Sequence, residues 1–187
     1  MAELAFDTDA HEYRVDGRRV PSVTQVLEVL EDFSSIPAAA LEAARDFGSN
    51  FHIAANLEVR GELDHAELDD QLRPYVAGLR RFLDESGAVV LCAEQPVYCA
   101  KHRYAGTLDA VVEWHGRRCL IDWKSGVLPR TVGPQTVAYA VALGEPRIKR
   151  YCIQITPDDY AVHPLRDPAD WSLFVSCLNV YRFRNQR

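Results

Sequence analysis

Two carboxylates and one ammonium carry most of the chemistry that this chain offers. Gly106-Thr107-Leu108-Asp109 is followed by Asp122-Trp123-Lys124, and the residues between them decide whether the three charges meet. Leu108 to Trp114 is rich in β-formers, His115-Gly116 is a turn signal, and Arg117 to Trp123 is a second run of alternating apolar residues. The segment therefore reads as a hairpin. A tight turn centred on His115-Gly116 sets Asp109 opposite Asp122, Val111 opposite Leu120, and Glu113 opposite Arg118 as a cross-strand ion pair. A three-residue loop would shift that register. Facing residues stand roughly 4.5–5.5 Å apart at Cβ, where like charges destabilise a sheet. A divalent cation is the natural compensation. Alternation sends Lys124 to the face of Asp122 and turns Trp123 away. Closely spaced oxygen ligands suit Mg²⁺, which takes one or two protein carboxylates and keeps waters for substrate phosphates to displace. An Asp-x-Lys tripeptide alone is an ordinary polar strand end, and only the opposed register gives it weight.

The elements that must position these groups are legible along the chain. His11 to Val20 reads as a hairpin turned at Asp16-Gly17. Ser22 then begins a helix, with Gln25 three residues on in the capping-box arrangement. That helix start also offers free backbone N–H groups to an anion, so Ser22 and Thr24 read either as a plain cap or as a grip on a DNA phosphate. An alanine-rich helix runs from about Pro37 to Arg60, with Gly48 as a bend or a close-contact point. A third helical region, from about Glu67 to Ser86, carries a core stripe of Leu68, Leu72, Tyr75, Leu79, Phe82 and Leu83, with Pro74 as a kink.

Strands follow at about Val89–Cys99, Tyr104–Trp114 and Arg117–Lys124, then a helix at about Val132–Leu143. Strands at about Ile148–Thr156 and Tyr160–Leu165 flank a turn at Pro157-Asp158-Asp159. Asp167-Pro168 caps a last helix whose stripe is Trp171, Phe174, Val175, Leu178 and Tyr181. No repeat or linker interrupts this order, and 187 residues at 48% hydrophobic content suit one domain over 1–187.

Read in order, Gly48-Ser49 with His52, Gly106 with Asp109, Asp122 with Lys124, and Gln135 with Tyr139 form a series. The series resembles the PD-(D/E)XK nuclease superfamily, in its branch of RecB-like and phage-type exonucleases. That branch has a helical G-[ST]-x-x-H-like element, a G-x-x-D strand, a D-x-K strand and a Q-x-x-x-Y helix. The stretch Val20-Pro21-Ser22-Val23-Thr24-Gln25-Val26-Leu27 also looks like the start of many phage-encoded members. The resemblance covers about residues 11 to 143.

It implies an α/β fold with a restriction-endonuclease-like core, α-β-β-β-α-β, whose central mixed sheet is flanked by helices and joined by an N-terminal hairpin. It also implies Asp109, Asp122 and Lys124 as catalytic residues. The implied metal ligands are His52, Asp109, Asp122 and the backbone carbonyl of Trp123, holding Mg²⁺ or Mn²⁺, the latter suited by an imidazole. Gln135 and Tyr139, four apart and so on one helix face, border that site, and Ser49 accompanies His52 in its motif. A turn centred on Lys101-His102 would place Glu94 opposite Asp109, and many relatives carry a glutamate there. Pro96 and residues 100–103 allow a longer loop instead, so Glu94 is read as a supporting residue around the ligands.

The implied activity is hydrolysis of DNA from its ends, in recombination or repair, beside a single-strand annealing or recombination protein. A structure-specific endonuclease of the same fold is the alternative. A non-catalytic DNA-binding relative is a further one, expected to have lost a motif residue; none is lost here.

Composition sets limits on this reading. A net charge of −6 opposes a generally basic nucleic-acid surface. DNA contact then needs a local patch, for which Arg14, Arg18, Arg19, Lys149, Arg150, Arg182, Arg184 and Arg187 are available. Lysine occurs only at 101, 124 and 149, so Lys124 is not compositional noise. Five cysteines without CxxC spacing point to free thiols in a reducing compartment. Some relatives hold an iron–sulfur cluster with one upstream cysteine and three close downstream ones. Only Cys152 and Cys177 follow Tyr139, far apart, so no cluster is expected. No apolar run is long enough to span a bilayer, and Met1-Ala2-Glu3-Leu4 lacks a signal-peptide pattern. A cytoplasmic protein without a membrane partner, in a bacterial cell or phage-infected host, is predicted.

Overall fold

A computed structural model describes residues 4–7 and 12–185. His11 and Arg187 lie outside the described residues. Strands β1 (Leu4–Asp7), β2 (Glu12–Val15) and β3 (Arg18–Val20) form an antiparallel sheet in that order. Asp16 and Gly17 both have positive φ, 48° and 76°, the backbone that an Asp-Gly turn is suited to. Strand β1 is an addition to the expected hairpin, pairing along the whole of β2.

Helix α1 (Val23–Leu27) starts on a reciprocal capping box. Ser22 Oγ accepts from the Gln25 N–H at 3.0 Å, and Gln25 Oε1 accepts from the Ser22 N–H at 3.1 Å. Helix α2 (Ala38–Arg60) runs without interruption through Gly48, where nothing lies within 4 Å of the place a Cβ would take. Gly48 is thus not the close-contact point expected. Helix α3 (Arg73–Ser86) is shorter than expected because Pro74 sits in its first turn rather than kinking its middle. Leu68 and Leu72 are buried all the same, from the turns ahead of it.

The main sheet follows, with β4 (Val89–Cys99), β5 (Tyr104–Trp114), β6 (Arg117–Lys124), helix α4 (Val132–Ala142), β7 (Lys149–Thr156), β8 (Asp159–Leu165) and helix α5 (Asp170–Asn185). Its spatial order is β4-β5-β6-β7-β8, and only β6 and β7 run parallel, joined through α4. This is the mixed sheet and the α-β-β-β-α-β order that the resemblance implies. A parallel pair needs a crossover, and α4 supplies it.

Each sheet face is buried under helices. Phe51, Val76, Leu79 and Phe82 of α2 and α3 pack with Ala110, Val112, Ile121 and Trp123 on one side. Val23, Val26, Ala138, Tyr139, Phe174 and Leu178 pack with Leu108, Val111 and Leu120 on the other, where α1, α4 and α5 lie.

The β5–β6 turn has the expected centre, with His115 at φ 52° and Gly116 at φ 66°. Val111 faces Leu120 and Glu113 faces Arg118. The expected Glu113–Arg118 ion pair does not form, because Arg118 makes a two-pronged contact with Glu145, at 2.8 and 3.3 Å. A bidentate carboxylate in the α4–β7 connection outcompetes a cross-strand one.

Candidate active site

Alternation along β5 breaks at Asp109. Leu108 and Val111 both belong to the α1/α4/α5 core, whereas Ala110 and Val112 belong to the α2/α3 core. Strand β4 slips in the same place, since Val97 and Cys99 are in the first of these cores together with Cys92, an odd number of residues from Val97. The slip centres on Glu94, a non-glycine residue at φ 47°. Such backbone costs of order 1–3 kcal/mol and gathers at functional sites. Because both strands slip together, Gln95 still faces Leu108 and Ala93 still faces Ala110. Glu94 and Asp109 are therefore neighbours, and the Lys101-His102 turn centre is the one present.

The β5–β6 ladder ends one step short of the two aspartates, at Ala110–Ile121. Beyond it the Trp123 N–H donates to the carboxylate Oδ2 of Asp109 at 2.8 Å, so a side chain replaces the backbone partner. His52 reaches over from α2, its Nδ1 3.5 Å from Asp109 Oδ2. Ligand atoms of His52, Glu94 and Asp109 all lie within 4.8 Å of one another, a group able to hold a metal ion. Lys124 Nζ is 2.8 Å from Asp122 Oδ2, toward which the Cys152 thiol also points at 3.9 Å. Asp122 is 1% exposed, and its Oδ1 has no hydrogen-bond partner. A buried carboxylate oxygen without a donor is costly unless something positive meets it.

The electrostatics point the same way. Burial pushes Asp122 up to about 6, against the pull of Lys124. Burial and the Asp109 charge push Glu94 up to about 7. Asp109 is raised by burial, with Lys124 and the Trp123 N–H opposing. Burial, then the Lys124 charge, lowers His52 to about 4. The His52–Asp109 approach is thus that of a neutral imidazole, with a lone pair available, and is not an ion pair. Burial alone would lower Lys124, yet Asp122 and Asp109 hold it above its ordinary value. Carboxylates short of counter-charge around a neutral histidine fit a divalent cation.

Gln135 Nε2 donates to the Tyr139 hydroxyl at 3.3 Å. Tyr139 is 4% exposed, and both aspartates help burial to raise its hydroxyl, which sets it beside the charged group. Its ring also explains Gly106, since a Cβ there would stand 2.5 Å from Tyr139 Cε1. Two motif residues thus meet as a hole and its filler. Gly106→Ala is expected to destabilise the protein by about 1–3 kcal/mol through overpacking. In urea unfolding, Tyr139→Ala in the same chain should recover part of that loss, so the two changes should be non-additive.

Other expected residues lie apart from this cluster. Ser22 is buried and its oxygen serves the cap, with Thr24 Oγ1 2.9 Å away. Ser49 is exposed on α2. The proposed arginine patch is not gathered. Arg14 and Arg19 both pair with Glu12, Arg150 is bound to Asp170 and to the Gly133 carbonyl, and Arg182 donates to the His102 carbonyl. Sequence reasoning missed Cys152, placed beside Asp122 by the parallel β6–β7 register. It also missed Tyr13, whose hydroxyl is 2.8 Å from Thr107 Oγ1. All five cysteines carry free thiols, and among the described residues no helix is long and apolar enough to cross a membrane.

No family model matches the chain. Mitochondrial genome maintenance exonuclease 1 of Mus musculus is 27% identical over 135 residues, which is 59% of this chain and 38% of that protein. The chain thus spans well under half the length of that relative. Among solved structures, one titled "Crystal structure of SSO0001" superposes with a TM-score of 0.39 at 15% identity, covering 60% of this chain and 58% of the other. "Crystal Structure of LHK-Exo in complex with dAMP" gives 0.41 at 16% identity, covering 88% and 87%. Superpositions this loose carry no functional argument.

Proposed function

We propose that this chain is a divalent-metal-dependent deoxyribonuclease of the PD-(D/E)XK type, one nuclease domain that removes nucleotides from DNA ends. The observation that carries the reading is the convergence of His52, Glu94 and Asp109 within 4.8 Å, next to the unpartnered Oδ1 of Asp122. The name of the mouse relative, an exonuclease, supports action at ends. In this reading His52, Asp109, Asp122 and the Trp123 carbonyl hold Mg²⁺ or Mn²⁺, and Glu94 joins them as a ligand or as a partner of one. A bound cation polarises the phosphoryl oxygen and stabilises the leaving alkoxide.

The chain's own residues do the rest. His52 offers a lone pair because it is neutral. Lys124 orients the attacking water and offsets charge that develops on the phosphorus oxygens. Trp123 holds Asp109 in place through its N–H, while Gln135 and Tyr139 line the border and fix the ends of β5 and α4 against each other. Work in recombination or repair, beside a single-strand annealing or recombination protein, is the biological setting proposed.

End dependence follows from the charge balance, because an acidic chain without a gathered basic patch has little with which to grip the interior of a long duplex. With Mn²⁺, linear DNA should be degraded while covalently closed circles of the same sequence survive. Nicking of closed circles at the linear rate would move the reading to an endonuclease, and survival of both would remove it.

A further inference from the structure

Beside the proposed ligands, between β1, α2 and the first half of β5, lies a cavity of about 320 Å³. His52 and Glu94 form its charged edge, and the rest of its lining has no part in holding a metal. Phe6 and Ile53 are large apolar residues left 38% and 60% exposed there. Phe6 is held in place, stacked on Tyr13 with ring centroids 4.5 Å apart, and Tyr13 is tied in turn to Thr107. Asn56, one helical turn beyond His52, also lines the cavity, and its buried Oδ1 has no hydrogen-bond partner. An apolar wall with one unmet amide oxygen suits neither a phosphate nor a sugar. It suits a flat heterocycle that carries an amino group.

We propose that this cavity binds the nucleobase of the nucleotide next to the scissile phosphate, packed against Phe6 and Ile53, with Asn56 accepting a hydrogen bond from its exocyclic amino group. The inference rests on the nuclease reading of the neighbouring residues and adds a base subsite to it. Ligand sites run from roughly 300 to 1,000 Å³, so a cavity at the bottom of that range takes one base and not a base pair. The terminal nucleotide must then be unpaired when it enters, and single-stranded or frayed ends are the preferred substrate. The Asn56 oxygen favours adenine and cytosine, whose amino groups donate, over thymine, which has none.

The test uses full-length Lys124→Ala protein, in which DNA can be bound without turnover, and an oligonucleotide with 2-aminopurine at its end. Binding should quench the terminal fluorophore, and an internal 2-aminopurine should change less. Phe6→Ala or Ile53→Asp, added to that protein, should abolish the quench and weaken binding by about five- to a hundredfold, the range of one aromatic–base contact. Ile53 is exposed, so its substitution reports on the cavity even where Phe6→Ala disturbs the N-terminal sheet. An oligonucleotide ending in an abasic site should bind the singly and doubly substituted proteins equally. Unchanged quenching in both double variants, equal losses with the abasic end, or no binding of the oligonucleotide would each overturn the subsite. Failure of the nuclease reading shows separately, as absence of DNA cleavage by protein that retains Lys124.

Discussion

Lys124→Ala protein is expected to keep its fold and to cleave linear DNA at least about a hundredfold more slowly, the scale of losing one group that stabilises transition-state charge. Retention of the fold follows from the state of its partner. Burial already pushes Asp122 up to about 6 with the ammonium 2.8 Å away. Without the ammonium the carboxyl rises further, so near neutral pH it takes up a proton instead of standing as an unpaired buried charge. Asp122→Asn should behave alike, since an amide oxygen still accepts from Lys124 while the charge facing the cation is lost. Here the structure corrects the simplest expectation from sequence, in which Asp122 is only a repelled carboxylate whose removal relaxes the protein. Its ion pair makes Asp122→Ala the harsher change, because that variant strands Lys124. Urea midpoints and digestion of end-labelled DNA measure the two effects separately. Full cleavage by either the Lys124 or the Asp122 variant would remove these residues from the site.

His52→Ala is expected to raise the Mn²⁺ concentration needed for half-maximal cleavage at least about tenfold, a loss that even outer-sphere changes can cause, and to do so more than for Mg²⁺. Imidazole is the better partner for the softer ion, whereas Mg²⁺ relies on oxygen and water. His52 already sits neutral, lowered to about 4 mainly by burial. Its removal therefore costs a ligand and some packing but no ion pair. Metal titrations of activity, side by side with wild type, read the difference. Equal Mn²⁺ and Mg²⁺ responses in variant and wild type would make His52 a packing residue of α2.

Much of the positioning scaffold was legible because local rules governed it. Asp16-Gly17 and His115-Gly116 each demanded one kind of turn, and the hairpin centred on the second carried Asp109 next to Asp122 by register alone. Ser22 and Gln25 announced the capping box that the structure contains. Pro74 was misread for a physical reason, since a proline suits the first turn of a helix as well as a kink, and only packing decides where that helix begins.

The finer geometry of the site was hidden because it departs from regular structure. A period-two reading carries faces along β4 and β5 without a break, yet both strands slip at Glu94 and Asp109, and no residue there is a glycine that would signal it. The placement of Cys152 depends on a parallel register set by the length and docking of α4, which no local pattern encodes. Arg118 chose Glu145 over its cross-strand neighbour for the same kind of reason, a tertiary partner offering two contacts. Scattered arginines were open to either fate, and their nearest carboxylates and carbonyls took several of them.

The central claim, that these residues form a metal-dependent nuclease site, is tested most directly by digestion of end-labelled linear DNA with wild-type protein stripped of metal by a chelator and then resupplied. The expected result is no cleavage in excess chelator and full recovery on adding Mn²⁺ or Mg²⁺ beyond it, with mononucleotides or short products released from ends. Cleavage that continues undiminished in chelator, or none at any metal concentration, would contradict it.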